Sequence, residues 1–211
     1  MHALILVDIQ NDFLPGGALA VPEGQKVIPM ANRLQAAFGL IVATQDWHPL
    51  NHGSFAANHE GAQPGEVIDL HGLPQILWPT HCVQGTAGAD FPAELDRRQW
   101  AKVFVKGTAP EIDSYSGFFD NGHRRATGLG EYLQERGVKT VFVCGLATDY
   151  CVKFTVLDAL PLGFETYLVE DACRGVELKK GDVKAAVEAM EAAGARVVTT
   201  AEVLAKVELP P

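Results

Sequence analysis

Short apolar segments alternate with amphipathic segments along most of the chain. The apolar segments, mostly rich in Val, Ile or Leu, cover residues 3–7, 40–44, 102–105, 140–144, 165–169 and 196–199. Segments of this kind are typical of strands that are buried on both faces of a parallel sheet. The amphipathic segments predict helices over residues 27–38, 129–136, 148–160, 183–193 and 201–206. Their alternation predicts an α/β fold, in which helices cover both faces of a parallel sheet.

Two segments interrupt this alternation. Residues 46–99 show little periodicity and contain many Pro, Gly, His and Trp residues, and residues 107–127 form a second irregular stretch. Irregular stretches of this length inside a compact domain are usually functional. Because neither a linker nor an internal repeat divides the chain, we expect a single domain over residues 1–211 with a long loop at about 46–99.

The composition is that of an ordinary soluble globular protein, with 47% hydrophobic residues in 211. The net charge of −9, from 17 basic and 26 acidic residues, argues against a nucleic acid or an anionic membrane as partner. No apolar run approaches the roughly 18 residues of a membrane span. The N-terminal apolar run lacks a basic segment before it, and Asp8 ends it too early for a signal peptide. We therefore expect a cytoplasmic protein whose four cysteines are reduced.

Chemically useful side chains follow several predicted strands. Asp8, Asp46 and Lys106 each come directly after a strand or nearly so, and Cys151 lies near the start of the helix after the fourth strand. Ligands of open parallel sheets bind at the carboxyl ends of the strands, so these side chains are expected to converge. If Thr148 caps the helix, Cys151 lies in its first turn, where the positive helix end lowers a thiol pKa.

A cysteine nucleophile needs a group that takes its proton. Asp8, at the end of a central strand, suits that role because desolvation raises the pKa of a carboxyl group. Lys106 can pair with Asp8 and stabilise negative charge. Taken singly, Cys151 could be a core residue, Asp8 a turn residue and Lys106 a surface lysine; their expected convergence favours catalysis.

A metal site is a second hypothesis. Asp46 and His48 are two residues apart, so on extended backbone both side chains point the same way and can share one ion. His81, in the segment Trp78-Pro79-Thr80-His81-Cys82, can return from the far end of the loop as a third ligand. Three protein ligands leave a position open for water or substrate.

The motifs that carry these residues resemble those of one family. They are Asp8-Ile9-Gln10-Asn11-Asp12-Phe13, Asp46-Trp47-His48-Pro49, Trp78-Pro79-Thr80-His81-Cys82-Val83, Lys106-Gly107, Asp113-Ser114-Tyr115-Ser116-Gly117-Phe118 and Gly145-Leu146-Ala147-Thr148-Asp149-Tyr150-Cys151-Val152. Over nearly the whole chain, the sequence resembles the isochorismatase-like cysteine hydrolases. The two histidine-containing motifs are similar to those of the metal-binding nicotinamidase branch.

The resemblance implies a three-layer α/β/α fold with a six-stranded parallel sheet in the order 3-2-1-4-5-6. It implies that Cys151 is the nucleophile, with Asp8 as base and Lys106 as partner. It also implies a cis peptide bond between Leu146 and Ala147. In the family, the backbone amides at Ala147 and Cys151 form an oxyanion hole, which stabilises the negative charge of the reaction intermediate.

The resemblance also implies one divalent metal ion. Asp46, His48 and His81 match the family's metal ligands, and either His52 or Ser54 falls in the region that supplies a further one. Such a ligand set suits zinc, iron or manganese, and we carry zinc forward as the prediction. Three aromatic residues match positions that line the substrate ring: Phe13, Trp78 and Tyr115.

The implied activity is hydrolysis of nicotinamide to nicotinate and ammonia, a step of NAD salvage in pyridine nucleotide biosynthesis. One alternative is a related hydrolase that acts on another small amide, an N-carbamoyl compound or a vinyl ether. The other is a metal- or ligand-binding module without catalysis. The sequence leaves the oligomeric state open, a homo-oligomer included, along with the range of amides, such as pyrazinamide, that are used.

Overall fold

The structure, a computed structural model, describes residues 1–207. Its strands are β1 His2–Val7, β2 Ile41–Asp46, β3 Val67–Leu70, β4 Leu73–Ile76, β5 Trp100–Lys106, β6 Thr140–Leu146, β7 Glu165–Arg174 and β8 Arg196–Val198. Its α-helices are α1 Val27–Gln35, α2 Leu129–Glu135, α3 Lys153–Ala159, α4 Asp182–Ala192 and α5 Thr200–Val207.

Six strands form the main sheet in the order β5-β2-β1-β6-β7-β8, and every neighbouring pair is parallel. Counting only these strands along the chain, the order is 3-2-1-4-5-6, so the implied topology is confirmed. Helices flank the sheet, with α1 packed on α5 and α3 packed on α4. The fold is therefore the expected layered α/β architecture.

The two central strands form the middle of the core. Every residue of β6 is buried, as is every residue of β1 except the first, because helices cover the sheet on both sides. Their composition of Val, Leu, Ile, Phe and Ala explains why the sequence pattern located them. Burial of continuous apolar runs on both faces is what a parallel sheet requires.

Several strands are longer than hydrophobicity alone predicts. β2 extends through Asp46 and β5 through Lys106, both of which are polar residues beyond the predicted ends. Their backbones remain in register as neighbours, although their side chains are charged. The strands therefore carry these two side chains directly to the carboxyl edge of the sheet.

The long irregular segment contains regular structure that its sequence pattern did not reveal. β3 and β4 form an antiparallel hairpin, in which Val67 faces Ile76 and Leu70 faces Leu73. Within residues 1–207 this hairpin is a sheet of its own. Its strands have only four residues each, and Pro74 lies within β4, which is why the segment lacks a strand signal.

The described residues also bear on membrane insertion and on the cysteines. No helix within residues 1–207 is long and apolar enough to cross a membrane. Across the same residues, the four cysteines are buried free thiols, as the sequence predicted: Cys82, Cys144, Cys151 and Cys173. Burial therefore does not distinguish the cysteines, and a reactive thiol must be one that borders a cavity.

Candidate active site

A cleft opens at the carboxyl edge of the sheet. With the open space at its mouth included, it spans about 400 Å³. Cys151 and Ala147 line one part of it, and Asp46, His48 and His81 line another. The predicted nucleophile and the predicted metal ligands therefore share one cavity.

The turn after β1 delivers Asp8 to this edge. Asp8 adopts a left-handed backbone conformation with φ of 47°, so the chain leaves the sheet directly after Val7. Its carboxylate is fully buried and accepts a hydrogen bond of 2.6 Å from Thr44 Oγ1 on the neighbouring strand. Gly145 packs beside this turn so closely that a Cβ there would lie 2.1 Å from the Val7 carbonyl oxygen.

Lys106 joins the acidic groups to the cysteine. Its Nζ lies 2.8 Å from Asp8 Oδ2, 2.5 Å from Asp46 Oδ1 and 3.4 Å from Cys151 Sγ. It also donates a hydrogen bond of 2.8 Å to the Ser114 carbonyl oxygen. A buried ammonium is tolerable only when it is paired and hydrogen-bonded, and these contacts meet that condition.

The electrostatics follow from burial and from this pairing. Burial raises the pKa of Asp8 to about 6, although the nearby Lys106 ammonium opposes the rise. Burial also raises the pKa of the Cys151 thiol well above its usual value, with Lys106 acting in the opposite direction. The sequence-based expectation of a lowered thiol pKa is wrong, because burial of the thiol outweighs the attraction of the Lys106 ammonium. Cys151 therefore rests as a thiol beside a carboxylate.

The backbone around Cys151 is distinctive. The Leu146–Ala147 peptide bond is cis, as the resemblance implied. A π-helical turn over Thr148–Val152 follows it, and α3 begins only at Lys153. The expectation that Thr148 caps the helix is wrong, since Thr148 lies inside the π turn and Ala147 occupies the cap without a side-chain bond.

One backbone donor borders the cleft without a protein partner. Among residues 1–207, the N–H group of Ala147 donates to neither a backbone nor a side-chain acceptor. Ala147 lines the same cavity as Cys151. A free N–H beside a thiol is what an oxyanion hole requires, so this geometry agrees with the predicted role of Ala147.

Three side chains form a compact candidate metal group. The ligand atoms of Asp46, His48 and His81 all lie within 4.8 Å of one another. Asp46 Oδ2 is 3.6 Å from His48 Nε2 and 3.9 Å from His81 Nε2. Two ligands of one tetrahedral zinc ion are separated by roughly 3.3 Å, so the group is close to the required spacing.

The other ring nitrogens of these histidines are already used. His48 Nδ1 lies 2.8 Å from the Gly107 carbonyl oxygen, and His81 Nδ1 lies 2.8 Å from the Pro79 carbonyl oxygen. A carbonyl oxygen only accepts, so each Nδ1 donates and each Nε2 keeps its lone pair for a metal. The three residues therefore fit a divalent ion, in ligand type and in orientation.

Burial and Asp46 set the charge of the two imidazoles. Burial lowers the pKa of His81 to about 4, so this ring is neutral and able to ligate at neutral pH. At His48 burial acts in the same direction, but the Asp46 carboxylate outweighs it and raises the pKa. The negative charge of Asp46 that attracts a proton to His48 also attracts a metal cation.

The two predicted candidates for a further ligand contact each other. His52 Nδ1 lies 2.7 Å from Ser54 Oγ and accepts a hydrogen bond of 3.2 Å from the Ser54 N–H. Within the described residues, His52 Nε2 is buried without a hydrogen-bond partner. It belongs to a neighbouring group with His48 and Asp113. The choice between His52 and Ser54 therefore stays a prediction.

Aromatic side chains also line the cleft. Phe13, Trp78 and Tyr115 all border it, as the resemblance implied. The hydroxyl oxygen of Tyr115 accepts hydrogen bonds of 3.1 Å from Trp78 Nε1 and from Gln75 Nε2. Gln75 lies on the β3–β4 hairpin, so this hairpin is hydrogen-bonded to Tyr115 in the wall of the cavity.

Sequence reasoning missed several residues at the cleft. They are Leu19, Asp113, Tyr150 and Val176, which line the cavity, and Gln75, which lies behind Tyr115. Two of them, Asp113 and Tyr150, belong to motifs that were recognised but received no role. Leu19 and Val176 lie in the loops after β1 and β7, where no spacing or composition marks them.

Known proteins share this architecture. A family model described as the Isochorismatase domain matches residues 2–202. The chain belongs to the isochorismatase family. An Escherichia coli (strain K12) nicotinamidase is 51% identical to this isochorismatase-family chain in an alignment of 205 positions that covers 95% of this chain and 96% of the relative.

Solved structures of isochorismatase-family relatives agree. A nicotinamidase/pyrazinamidase from Acinetobacter baumanii has a TM-score of 0.93 and 47% identity, and the match covers 95% of this chain and 97% of that one. A pyrazinamidase from Pyrococcus horikoshii, solved in complex with zinc, has a TM-score of 0.77 and 43% identity over 94% of this chain and 98% of that one. These relatives belong to the branch that the histidine motifs predicted.

Proposed function

We propose that the protein is a metal-containing cysteine amidohydrolase that converts nicotinamide to nicotinate and ammonia. One observation carries the proposal: the Asp8, Lys106 and Cys151 cluster adjoins the Asp46, His48 and His81 group, and Cys151 and the second group line the same small cleft. The first cluster can cleave an amide, and the second can hold a ring nitrogen. The high identity to nicotinamidases supports this assignment.

The first step forms a thioester. Asp8, ionised at neutral pH, takes the proton of Cys151, and the thiolate attacks the carboxamide carbon. Lys106 stays protonated, since burial disfavours its charge but two carboxylates outweigh burial and raise its pKa. The N–H groups of Ala147 and Cys151 stabilise the oxyanion of the tetrahedral intermediate.

Departure of ammonia completes the thioester, and its hydrolysis is the second step. Protonated Asp8 returns its proton to the amide nitrogen, the C–N bond breaks, and ammonia leaves. A water molecule then attacks the thioester carbon while Asp8 again acts as base. The C–S bond breaks, the acid leaves and Cys151 regains its proton from Asp8. The balance is nicotinamide and water to nicotinic acid and ammonia, which at neutral pH become nicotinate and ammonium.

The metal ion would be held by Asp46, His48 and His81, with His52 or Ser54 as a further ligand. When bound, it supplies a Lewis-acidic anchor for the ring nitrogen of the substrate. The carboxylate and two imidazoles suit zinc, which a relative contains, and we propose zinc rather than iron or manganese. Phe13, Trp78 and Tyr115 pack around the ring and exclude water.

We also propose the kind of partner, the domain organisation and the cellular location. A net charge of −9 favours a free small-molecule substrate over a nucleic acid or an anionic membrane surface. We propose a single hydrolase domain over residues 1–211 that acts in the cytoplasm, in NAD salvage.

Ammonia release from nicotinamide by the purified protein tests the proposal. We expect one ammonia per nicotinate, and loss of both products in Cys151→Ala. Ammonia from an N-carbamoyl compound but not from nicotinamide would favour a related hydrolase. A binding module would release no ammonia and would show no thiol that nicotinamide protects from alkylation.

A further inference from the structure

Gln10 makes an unusual set of contacts with the backbone of Asp46. Its Nε2 donates a hydrogen bond of 2.8 Å to the Asp46 carbonyl oxygen, and its Oε1 accepts one of 2.8 Å from the Asp46 N–H. The same Nε2 donates a hydrogen bond of 2.8 Å to the Ala89 carbonyl oxygen. The Gln10 residue is fully buried.

These contacts continue the sheet where β1 has left it. The last registered pair between β1 and β2 joins Leu6 to Ala43, and the chain turns away at Asp8. Asp46, at the end of β2, therefore has no β1 peptide beside it. The carboxamide of Gln10 offers one donor and one acceptor, as a peptide does, and pairs with Asp46 in its place.

The orientation of Asp46 matters twice at the site. Its Oδ1 contacts Lys106 Nζ at 2.5 Å, and its Oδ2 faces the Nε2 atoms of His48 and His81. Both contacts depend on where the backbone of Asp46 holds its short side chain. A group that fixes this backbone on both its donor and its acceptor therefore acts on the metal group and on Lys106 together.

We propose that Gln10 is a positioning residue, which holds Asp46 in the geometry that binds the metal ion and orients Lys106. The inference rests on the proposed metal site. Outer contacts that orient a metal ligand are worth 10- to 100-fold in affinity or activity in metalloproteins. Gln10 contacts the backbone of the proposed metal ligand Asp46. The carbonyl oxygens that contact His48 and His81 instead bind the side chains of those ligands.

The chain contains a matched control. Gln45, next to Asp46, also donates a hydrogen bond of 2.8 Å from its Nε2 to the Ala89 carbonyl oxygen. Of the two glutamines, Gln10 alone contacts the backbone of Asp46. Gln10→Met and Gln45→Met therefore both lose the bond to Ala89, and only Gln10→Met loses those to Asp46. Methionine is unbranched and flexible, so it can fill the space of glutamine without its polar contacts.

The experiment measures zinc affinity by competition with a chelator, in wild-type protein, Gln10→Met, Gln45→Met and His81→Ala. We expect Gln10→Met to bind zinc about 10- to 100-fold more weakly than wild type and Gln45→Met to remain within about threefold. His81→Ala should lose zinc. Thermal unfolding of the zinc-free proteins separates a general loss of stability, which both methionine variants would share, from the effect on Asp46.

Two results would overturn the inference in different ways. Folded Gln10→Met that binds zinc as Gln45→Met does removes the role of Gln10 and leaves the proposed site intact. Wild-type protein that binds no zinc, manganese or iron removes the metal site, and this inference with it. If Gln10→Met does not fold, Gln10→Glu replaces it, because its carboxylate keeps the size of glutamine but repels both carbonyl oxygens. Wild-type affinity in Gln10→Glu would count against the proposal.

Discussion

Lys106 Nζ and Asp46 Oδ1 lie 2.5 Å apart, and this contact joins the two halves of the site. Through Oδ1, Asp46 pairs with the lysine that also contacts Asp8 and Cys151. Through Oδ2, it faces the two histidines of the metal group. Asp46 is therefore shared by the reacting centre and by the proposed anchor for the substrate ring, and a change at this residue affects both.

Cys151→Ala is expected to lower kcat/KM for nicotinamide by about 10⁴-fold or more, with fold and metal content unchanged. Asp8→Asn should be affected almost as strongly, because the thiol, whose pKa burial raises, loses its base. Residues that act as a unit are non-additive, so the double variant should be little worse than either single one. Ammonia release measures all three, and substantial turnover by Cys151→Ala would exclude the thioester route.

The acidic limb of the pH profile of kcat/KM should reflect the ionisation of the Asp8 carboxyl group. Asp8 must be ionised to accept a proton, and burial raises its pKa to about 6, so kcat/KM should fall as the pH drops below about 6. In the wild type, the hydrogen bond from Thr44 to Asp8 Oδ1 lowers the pKa of Asp8. Thr44→Val removes this bond and should therefore raise the pKa of Asp8. We expect the limb to move upward by roughly 0.5–1 pH unit.

Thr155→Val is the control for that shift. Thr155 is equally buried, and its hydroxyl accepts a hydrogen bond from the Gly117 N–H rather than contacting Asp8. The acidic limb of the kcat/KM profile of Thr155→Val should coincide with that of the wild type. If both valine variants shift the limb alike, the limb does not report Asp8.

Metal content should depend on two histidines of the long loop. His48→Ala or His81→Ala should lose most of the bound metal, because each removes one of three ligands. His59→Ala should retain it, since His59 lies in the same loop but its Nε2 bonds to the Gly53 carbonyl oxygen. Asp8→Asn should retain it as well. Elemental analysis of the purified variants measures the metal, and full occupancy in His81→Ala would assign that histidine a structural role.

The substrate series tests what the metal is for. Cys151 is the proposed nucleophile and Asp8 the proposed base, so a metal-bound hydroxide would be redundant in the first step. A metal that holds the ring nitrogen instead fixes ring and carboxamide together. We expect benzamide, which lacks the nitrogen, to have a kcat/KM roughly 30- to 1,000-fold below that of nicotinamide with metal-replete enzyme. Picolinamide, whose nitrogen adjoins the carboxamide, should also be poor, and equal values for benzamide and nicotinamide would contradict this role.

The sequence was informative wherever a residue's role follows from its place along the chain. Asp8 and Lys106 were found because apolar runs mark strands, and the carboxyl ends of parallel strands meet at one edge. Asp46 and His48 were found because two residues on extended backbone share a face. The strand order and the nicotinamidase branch were predicted from motifs, because hydrophobic periodicity alone does not give the order of the strands in a sheet.

Features that depend on distant partners escaped the sequence. The bonds of Gln10 join it to residues 36 and 79 positions away, and no local spacing marks them. Gln75 reaches Tyr115 across 40 positions from a hairpin that has no strand signal. The pKa of Cys151 was wrongly predicted for the same reason, because its burial is a property of the whole fold.

The central place of β1 in the sheet has a consequence for synthesis. Among the strands of this sheet, β1 is synthesised first and its neighbour β2 follows soon, but its other neighbour β6 begins only at Thr140. Until then one edge of an apolar strand stays open, and non-local parallel pairing is slow to form. Asp8 likewise cannot pair with Cys151 until β6 and the turn after it have been synthesised. We therefore expect truncated chains that end before β6 to aggregate and to be inactive.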